Sequence, residues 1–347
     1  MIEDSSFESF AHYASGMAAM SFVMWAVILY GWRKRNRMTY LLFLVVAYIA
    51  ISFLKDVIFF WPSHLFSNLY FMEDMVSIFD ISFVPLVCAF FIEATWPGVV
   101  TNKRLLLSYL AFILFLPLYC LFPSKWVVVG SFWLSLIAAL VTLVIVPINV
   151  KRYNKYLSDN YSYINNIGVG WCTGCASFFF LTLIFYQICF YEPTWFGEMI
   201  YDAVFVVIWN IVCLYNRNHQ VVAGIKPSAD IQQIDTNGNV ADSLRRCMEA
   251  DKLYLNPRLT LMELAQAAGT DKTGISTYIN GHGKTFYDYV NEYRVAEACR
   301  IIDKKVVDGE RISMTDVALQ SGFNSISTFN RYFTKLKGIT PTSYSRR

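Results

Sequence analysis

Apolar residues dominate seven windows within the first 216 positions, and polar residues cluster in the short stretches between them. The windows cover residues 13–32, 39–60, 76–95, 105–122, 126–148, 169–190 and 197–215. A helix of about 20 apolar residues spans the hydrocarbon core of a bilayer, because it satisfies its own backbone hydrogen-bonding groups there. Buried helices of a soluble protein would need polar faces at helical spacing, and stretches such as SFVMWAVILYGW have none. The pattern predicts an integral membrane domain over 1–216.

The pattern changes abruptly after Tyr215. Residues 217–240 are polar, contain Gly224, Pro227 and Gly238, and are predicted to form a linker. From residue 241 onward the apolar positions recur at the spacing of short helices. The chain is therefore expected to continue into a separate helical domain over 241–347.

Two helix-turn-helix units are predicted in that domain. The first is LTLMELAQAAGTDKTGISTYIN, with a turn at Gly269 and Asp271 as the N-cap of its second helix. The second, ISMTDVALQSGFNSISTFNRYF, repeats the plan about 53 residues later, with its turn at Gly322. Its second helix is predicted to bury a stripe made of Phe323, Ile326, Phe329, Tyr332 and Phe333. A long amphipathic helix, TFYDYVNEYRVAEACRIIDKK, connects the units, so the predicted fold class is all-α throughout.

Composition supports this division. The chain of 347 residues is 56% hydrophobic and only 16% charged, which is too little charge for the surface of a soluble protein of this length. The first 216 residues carry 11 Lys and Arg against 12 Asp and Glu, whereas the remaining 131 carry 18 against 14. The C-terminal part is therefore an ordinary, mildly basic soluble domain by composition.

The short loops between the apolar windows carry their positive charge on one side. Basic residues follow the first, third and fifth windows: Arg33, Lys34, Arg35, Arg37, Lys103, Arg104, Lys151, Arg152 and Lys155. The opposite loops hold only Lys125. Because cytoplasmic loops are enriched in Lys and Arg, the N-terminus is expected outside and the C-terminal domain in the cytoplasm.

The stretch VALQSGFNSISTFNRYFTKLKGITPTSY resembles the signature of the AraC/XylS family of transcription regulators. The spacing of Ala318, Gly322, Phe323, Ser327, Phe329, Phe333, Lys335, Gly338, Pro341 and Tyr344 follows the family pattern, and Arg294 after YVNEY matches in the connecting helix. The resemblance covers residues 240 to 347. It implies a DNA-binding domain with two helix-turn-helix units and double-stranded promoter DNA as partner. The resemblance does not extend to residues 1–216. Together with the apolar windows it gives the inner membrane of a bacterium as the expected location.

In a helix-turn-helix unit the second helix enters the major groove with its N-terminal residues at the base edges. In the second unit the candidate contacts are Asn324, Ser325, Ser327, Thr328 and Arg331, followed by Lys335 and Lys337 at phosphates. In the first unit they are Lys272, Thr273, Ser276 and Thr277. Arg331 is the member of the second set that can pair with guanine through two hydrogen bonds, while Asn324 and Ser325 can instead cap the helix. The alternative is that these polar residues form only a solvated face.

Lys55, Asp56, Asp80 and Asp202 are ionisable residues that lie within the apolar windows, about five or six residues from their outer ends. Such residues are costly in a bilayer and face a protein interior or a wet cavity. Lys55 and Asp56 are adjacent and cannot face each other on a helix, so Asp80 or Asp202 is the expected partner of Lys55. One hypothesis is a pocket for an unknown small ligand or signal. The alternative is a structural ion pair, or groups close enough to the interface to be hydrated.

No catalytic motif or metal-binding pattern is present, and Cys172 and Cys175, the one CxxC pair, are expected to pack in the protein interior. We therefore expect no enzyme activity and no cofactor. The favoured interpretation is a one-component regulator that joins a membrane sensor to a DNA-binding domain. The alternative is a transporter or channel with a regulatory tail, although no inverted repeat is visible. Two units one helical turn apart can bind DNA from a monomer or within a homodimer, and the sequence is compatible with both.

Overall fold

The computed structural model describes the chain in five stretches, which are residues 2–59, 69–164, 167–191, 195–219 and 237–346. It divides into two compact units. The N-terminal unit comprises residues 1–153 and 169–225, and the C-terminal unit comprises residues 154–168 and 226–347. Across the described residues the secondary structure is helical, and no strand is present, which confirms the predicted all-α class.

Among the described residues, nine helices carry the seven predicted spans. They are α1 (Ile2–Trp32), α2 (Arg37–Phe59), α3 (Leu69–Ile81), α4 (Val84–Thr95), α5 (Asn102–Ile113), α6 (Phe115–Leu121), α7 (Lys125–Asn160), α8 (Trp171–Tyr191) and α9 (Trp195–Asn218). Seven stretches of the described residues are helical, long and apolar enough to cross a membrane. Within the N-terminal unit, α1 packs against α2 and α9, and α4 packs against α2, α5 and α8.

The third and fourth spans are interrupted, and each break lies four residues before a proline. Pro85 and Pro117 lack the amide hydrogen that an α-helix donates to the carbonyl four residues earlier. Those earlier residues are Ile81 and Ile113, the positions at which α3 and α5 end. The hydropathy pattern predicts continuous helices here, and the two breaks correct that prediction.

Aromatic rings fill the interior of the N-terminal unit. Phe22, Phe53 and Phe205 form one cluster, with ring centroids 5.3 Å apart for Phe22 and Phe53 and 6.1 Å apart for Phe22 and Phe205. Phe83, from the break between α3 and α4, packs edge-on against Phe205 at 6.0 Å. These contacts join α1, α2 and α9 to the interrupted third span.

The C-terminal unit contains seven α-helices in its described part. They are α10 (Asn237–Arg245), α11 (Leu261–Ala268), α12 (Lys272–Gly281), α13 (Phe286–Val307), α14 (Met314–Gln320), α15 (Ile326–Lys337) and α16 (Pro341–Tyr344). A turn of π-helix, Arg246–Ala250, extends α10. Two apolar cores lie on either side of α13, one beneath α11 and α12 and the other beneath α14 and α15. Helix α13 thus packs against both helix pairs.

The C-terminal unit is discontinuous in sequence. Residues 154–168, which comprise the end of α7 and the residues that follow it, group with the C-terminal helices. The sequence pattern places this segment in a loop of the predicted membrane domain, residues 1–216. Of the predicted linker, residues 220–236 lie outside the described residues.

Candidate nucleic-acid interface

The first helix pair, α11 and α12, has the turn that its sequence predicts. Helix α11 starts with a capping box, in which Thr260 and Glu263 each accept a hydrogen bond from the other's backbone amide. Gly269 adopts φ +66°, the left-handed conformation that ends a helix. The Asp271 carboxylate accepts hydrogen bonds from the amides of Thr273 at 3.0 Å and Gly274 at 3.3 Å. The predicted turn at Gly269 and N-cap at Asp271 are confirmed.

In the second helix pair, a glycine forms the turn between α14 and α15 and a serine caps α15. Gly322 has φ +86°, and a side chain there would lie against the Tyr254 carbonyl oxygen and 2.8 Å from the Leu255 Cα. A glycine is therefore required for both conformation and space. The Ser325 hydroxyl then accepts a hydrogen bond from the Thr328 amide at 3.2 Å and caps α15. The predicted turn at Gly322 is confirmed.

The inward face of α15 is aromatic. Phe329, Tyr332 and Phe333 are buried, and the Phe329 ring lies edge-on to Phe323 at 5.4 Å and to Phe333 at 5.6 Å. The prediction that Ile326 belongs to this stripe is wrong, because Ile326 is 40% exposed. Phe323, which comes from the turn, is buried as predicted and packs on Phe329.

The outward face of α15 is polar and exposed. Of the candidate contacts in this unit, Asn324, Ser327, Arg331, Lys335 and Lys337 are exposed. Ser325 is half-buried as the cap, and Thr328 is 8% exposed with its hydroxyl 3.1 Å from the Ser325 hydroxyl. Two further exposed residues, Asn330 and Thr334, share the face of Ser327 and Arg331. They lie three residues after Ser327 and Arg331, respectively, and this helical spacing was the signal that could have identified them.

Helix α13 positions the cationic side chains of α15. An Arg331 guanidinium nitrogen donates to the Tyr287 hydroxyl at 3.1 Å, and Lys335 forms an ion pair with Asp288 at 3.0 Å. Burial raises the pKa of Asp288, but hydrogen bonds from Tyr332, Thr285 and Lys335 outweigh it and lower the pKa. The carboxylate is thus kept ionised and holds Lys335, while the polar end of Arg331 stays at the surface.

The equivalent face of α12 carries less charge. Thr273 and Thr277 are exposed, whereas Lys272 and Ser276 are half-buried. The Ser276 hydroxyl accepts a hydrogen bond from Asn280 at 3.2 Å, and the Lys272 ammonium lies 6.0 Å from the centre of the Tyr156 ring. The face of α12 is therefore largely neutral, with Lys272 as its cation.

Three of the four ionisable residues predicted for sensing can be placed within the N-terminal unit. Lys55 and Asp80 form an ion pair at 3.1 Å, and Asp80 also accepts a hydrogen bond from Ser52. Asp202 accepts a hydrogen bond from Ser15 at 2.7 Å and so joins α9 to α1. The side chain of Asp56 lies outside the described residues. Of the two expected partners of Lys55, the structure therefore selects Asp80.

Comparison with known proteins identifies the class to which the C-terminal unit belongs. Residues 264–347 match the family described as a helix-turn-helix domain, and this part of the chain is a helix-turn-helix domain of the AraC/XylS type. The match starts within α11 and extends to the end of the chain.

Two curated relatives each match part of the chain. The transcriptional activator RhrA of Rhizobium meliloti (strain 1021) is 28% identical over 99 residues, which are 28% of this chain and 31% of RhrA. The probable transcription factor PqrA of Proteus vulgaris is 28% identical over 107 residues, which are 30% of this chain and 83% of PqrA. The chain thus spans about a third of the length of RhrA. No solved structure gave a significant match.

Proposed function

We propose that this protein is a membrane-held transcription regulator that binds double-stranded promoter DNA through α12 and α15. The observation that carries the proposal is the exposed Ser327 and Arg331 face of α15, which rests on an aromatic core within an AraC/XylS-type domain. Both curated relatives bear names that describe transcription factors. Seven apolar helices in the same chain favour anchorage in a membrane.

In this proposal α15 reads the base edges of one major groove. Ser327, Arg331 and Asn324 are the side chains that reach bases, and Asn330 extends the set. Ser325 acts as the cap of the helix, because its hydroxyl accepts a hydrogen bond from the Thr328 amide, and it donates one to the Thr328 hydroxyl. Lys337 contacts a phosphate, and Lys335 does so after leaving Asp288.

Helix α12 contributes less to sequence recognition. Thr273, Thr277 and Ser276 can each accept or donate one hydrogen bond, which is a weaker discrimination than the two parallel bonds of arginine with guanine. Lys272 supplies a phosphate contact. The proposal therefore assigns most of the specificity to the second unit.

The proposed orientation places the N-terminus outside and the C-terminal unit in the bacterial cytoplasm, where the DNA is. It rests on nine Lys and Arg residues that follow the first, third and fifth apolar windows, against Lys125 on the opposite side. Inside-out membrane vesicles that contain the full chain should therefore capture duplex DNA at low salt and release it as salt rises, since each phosphate contact adds about −0.9 to the slope of log affinity against log salt. Right-side-out vesicles should capture DNA only after permeabilisation. Equal capture by vesicles without the chain, or by intact right-side-out vesicles, would contradict the proposal.

We further propose that the polar contacts between the apolar helices bias DNA binding in response to a signal. The Lys55 and Asp80 pair links α2 to α3, and the Ser15 and Asp202 hydrogen bond links α1 to α9. An ion pair or hydrogen bond between helices is either formed or broken. A ligand or a change at the outer surface that favours one of these two states would shift the packing of the helices.

Replacing Asp80 by Asn should reduce the amount of protein in the membrane and change its affinity for DNA by at least about fivefold, the lower range of allosteric coupling. The substitution removes the carboxylate with which Lys55 pairs. The matched variant Asp80→Asn with Lys55→Met also removes the charge, so it should restore the amount of protein but leave the DNA affinity changed. Restoration of both quantities in the double variant would show that the pair serves only stability.

A further inference from the structure

A segment between α7 and α8 is built into the DNA-binding unit. Tyr161 pairs with Thr260 in an antiparallel bridge, and the Ser162 amide donates to the Leu259 carbonyl at 3.1 Å. Ser162 is only 1% exposed. Thr260 is the N-cap of α11, so the bridge between Tyr161 and Thr260 lies at the start of the first helix pair.

The same segment supplies two of the hydrogen bonds of a buried arginine. Arg294, in the middle of α13, is 1% exposed. Its Nη1 donates to the Ser162 carbonyl at 2.9 Å and its Nη2 to the Ser162 hydroxyl at 3.0 Å. Backbone carbonyls of Tyr254 at 2.8 Å and Asn256 at 2.7 Å, and the Asn291 side chain at 3.2 Å, accept the others.

A guanidinium has five N–H groups, and an unsatisfied one is costly when buried. The acceptors named above are carbonyl and hydroxyl oxygens rather than carboxylates, and burial lowers the pKa of Arg294 to about 10. Two of these five hydrogen bonds end on Ser162. Ser162 thus supplies two acceptors to the buried guanidinium, its backbone carbonyl oxygen and its side-chain hydroxyl oxygen.

Side chains on either side of Ser162 reach both helix pairs. Ile164 packs against the core that contains Phe323 and Phe329, beneath α14 and α15. Tyr156, on the last turns of α7, lies beside Lys272 at the start of α12. The segment therefore contacts the second helix pair through its core and the first through a candidate DNA-contacting residue.

We infer that residues 154–168 are a docking segment, which attaches the DNA-binding unit to the apolar helices at a second place besides the chain that follows α9. The segment is hydrogen-bonded to α13 and adjacent to α12, so a change in α7 or α8 could reach the proposed DNA-reading helices through it. Only this regulatory role rests on the proposed function. It also predicts that a cut within residues 220–236 does not free the DNA-binding unit.

The experiment cuts the chain between α9 and α10. A recognition sequence for a site-specific protease is inserted within residues 220–236, the full chain is extracted in mild detergent, captured by an N-terminal tag and cut on the resin. The C-terminal fragment of the unaltered chain should stay on the resin, whereas that of Ser162→Lys should wash off, because a second cation would face the buried Arg294 guanidinium. The matched control Ser158→Lys should be retained, since the Ser158 hydroxyl donates to the Lys155 carbonyl of its own helix. A wild-type fragment that washes off, or a Ser162→Lys fragment that is retained, would overturn the inference.

A cross-link tests the contact even if Ser162→Lys impairs folding. Bridged residues of antiparallel chains have Cα atoms about 4.5–5.5 Å apart, which suits a disulfide. Tyr161→Cys combined with Thr260→Cys should therefore give two fragments that migrate together without reductant after oxidation and cutting, while either single variant should separate. Failure of the double variant to cross-link would overturn the inference. Neither assay uses DNA or a bilayer. A negative result would therefore overturn the docking segment without bearing on the proposed DNA binding.

Discussion

Replacing Arg331 by Ala should lower the affinity of the full chain for its specific DNA site by about tenfold to a hundredfold, with little change in binding to unrelated DNA. The exposed guanidinium projects from the recognition helix and is steadied by the Tyr287 hydroxyl at 3.1 Å. An arginine that donates two hydrogen bonds to guanine discriminates against the wrong base by about 1–3 kcal/mol. Since about 1.4 kcal/mol is a factor of ten, that range corresponds to the expected loss.

Two control variants separate base recognition from charge. Arg331→Lys keeps the charge but not the two parallel hydrogen bonds, so it should retain non-specific binding and still lose the preference for guanine. Lys337→Ala should weaken specific and non-specific binding alike, because a phosphate contact carries no sequence information. The measurement is fluorescence anisotropy of labelled duplexes at a fixed salt concentration. An unchanged ratio of specific to non-specific affinity in Arg331→Ala would mean that Arg331 does not read a base.

Replacing Gly322 by Ala should destabilise the C-terminal unit by about 2–5 kcal/mol. The left-handed conformation at φ +86° costs a non-glycine residue about 1–2 kcal/mol, and forcing an extra methyl group into a packed site costs about 1–3 kcal/mol more. The added Cβ would lie against the backbone of Tyr254 and Leu255, which cannot turn aside as a flexible side chain does. Pulse proteolysis of the full chain in increasing urea measures the fraction of the unit that is folded.

Gly338 provides a matched control for this substitution. It has a similar φ of +72°, but no atom lies within 4 Å of the position that its Cβ would occupy. Gly338→Ala should therefore cost only the conformational part, about 1–2 kcal/mol. Equal destabilisation by the two variants would show that the close approach of Gly322 to Tyr254 contributes nothing.

Features that depend on a few neighbouring residues were predictable from the sequence. The turns at Gly269 and Gly322 and the cap at Asp271 follow local rules of chain conformation, and the structure confirms each of them. The break at Ile81 lies four residues before Pro85, but Pro147 lies inside the continuous helix α7, so a proline alone does not predict where a span breaks. Phe323 was correctly predicted to be buried, but Ile326 was misassigned: it is the first residue of α15, and it stays exposed while Phe323 packs on Phe329.

Contacts between distant parts of the chain were beyond the sequence. Lys55 had two candidate carboxylates, and only the three-dimensional structure selects Asp80 over Asp202. Arg294 matched the AraC/XylS pattern, yet nothing in that pattern indicates its hydrogen bonds to Ser162, which lies 132 positions earlier. Thr328 fitted a base-contacting position by spacing, whereas its hydroxyl faces the Ser325 cap. In each case the missing information was the geometry of packing rather than the type of residue.

The measurement that tests sequence-specific DNA binding most directly is selection of duplexes from a random library by the full chain in lipid nanodiscs. We expect the wild-type chain to enrich one motif with a strongly preferred guanine, and Arg331→Ala to enrich the same motif with that preference lost. The enriched site should serve as the specific duplex in the affinity measurements. Recovery of no motif at low salt, where phosphate contacts are strongest, would contradict the account.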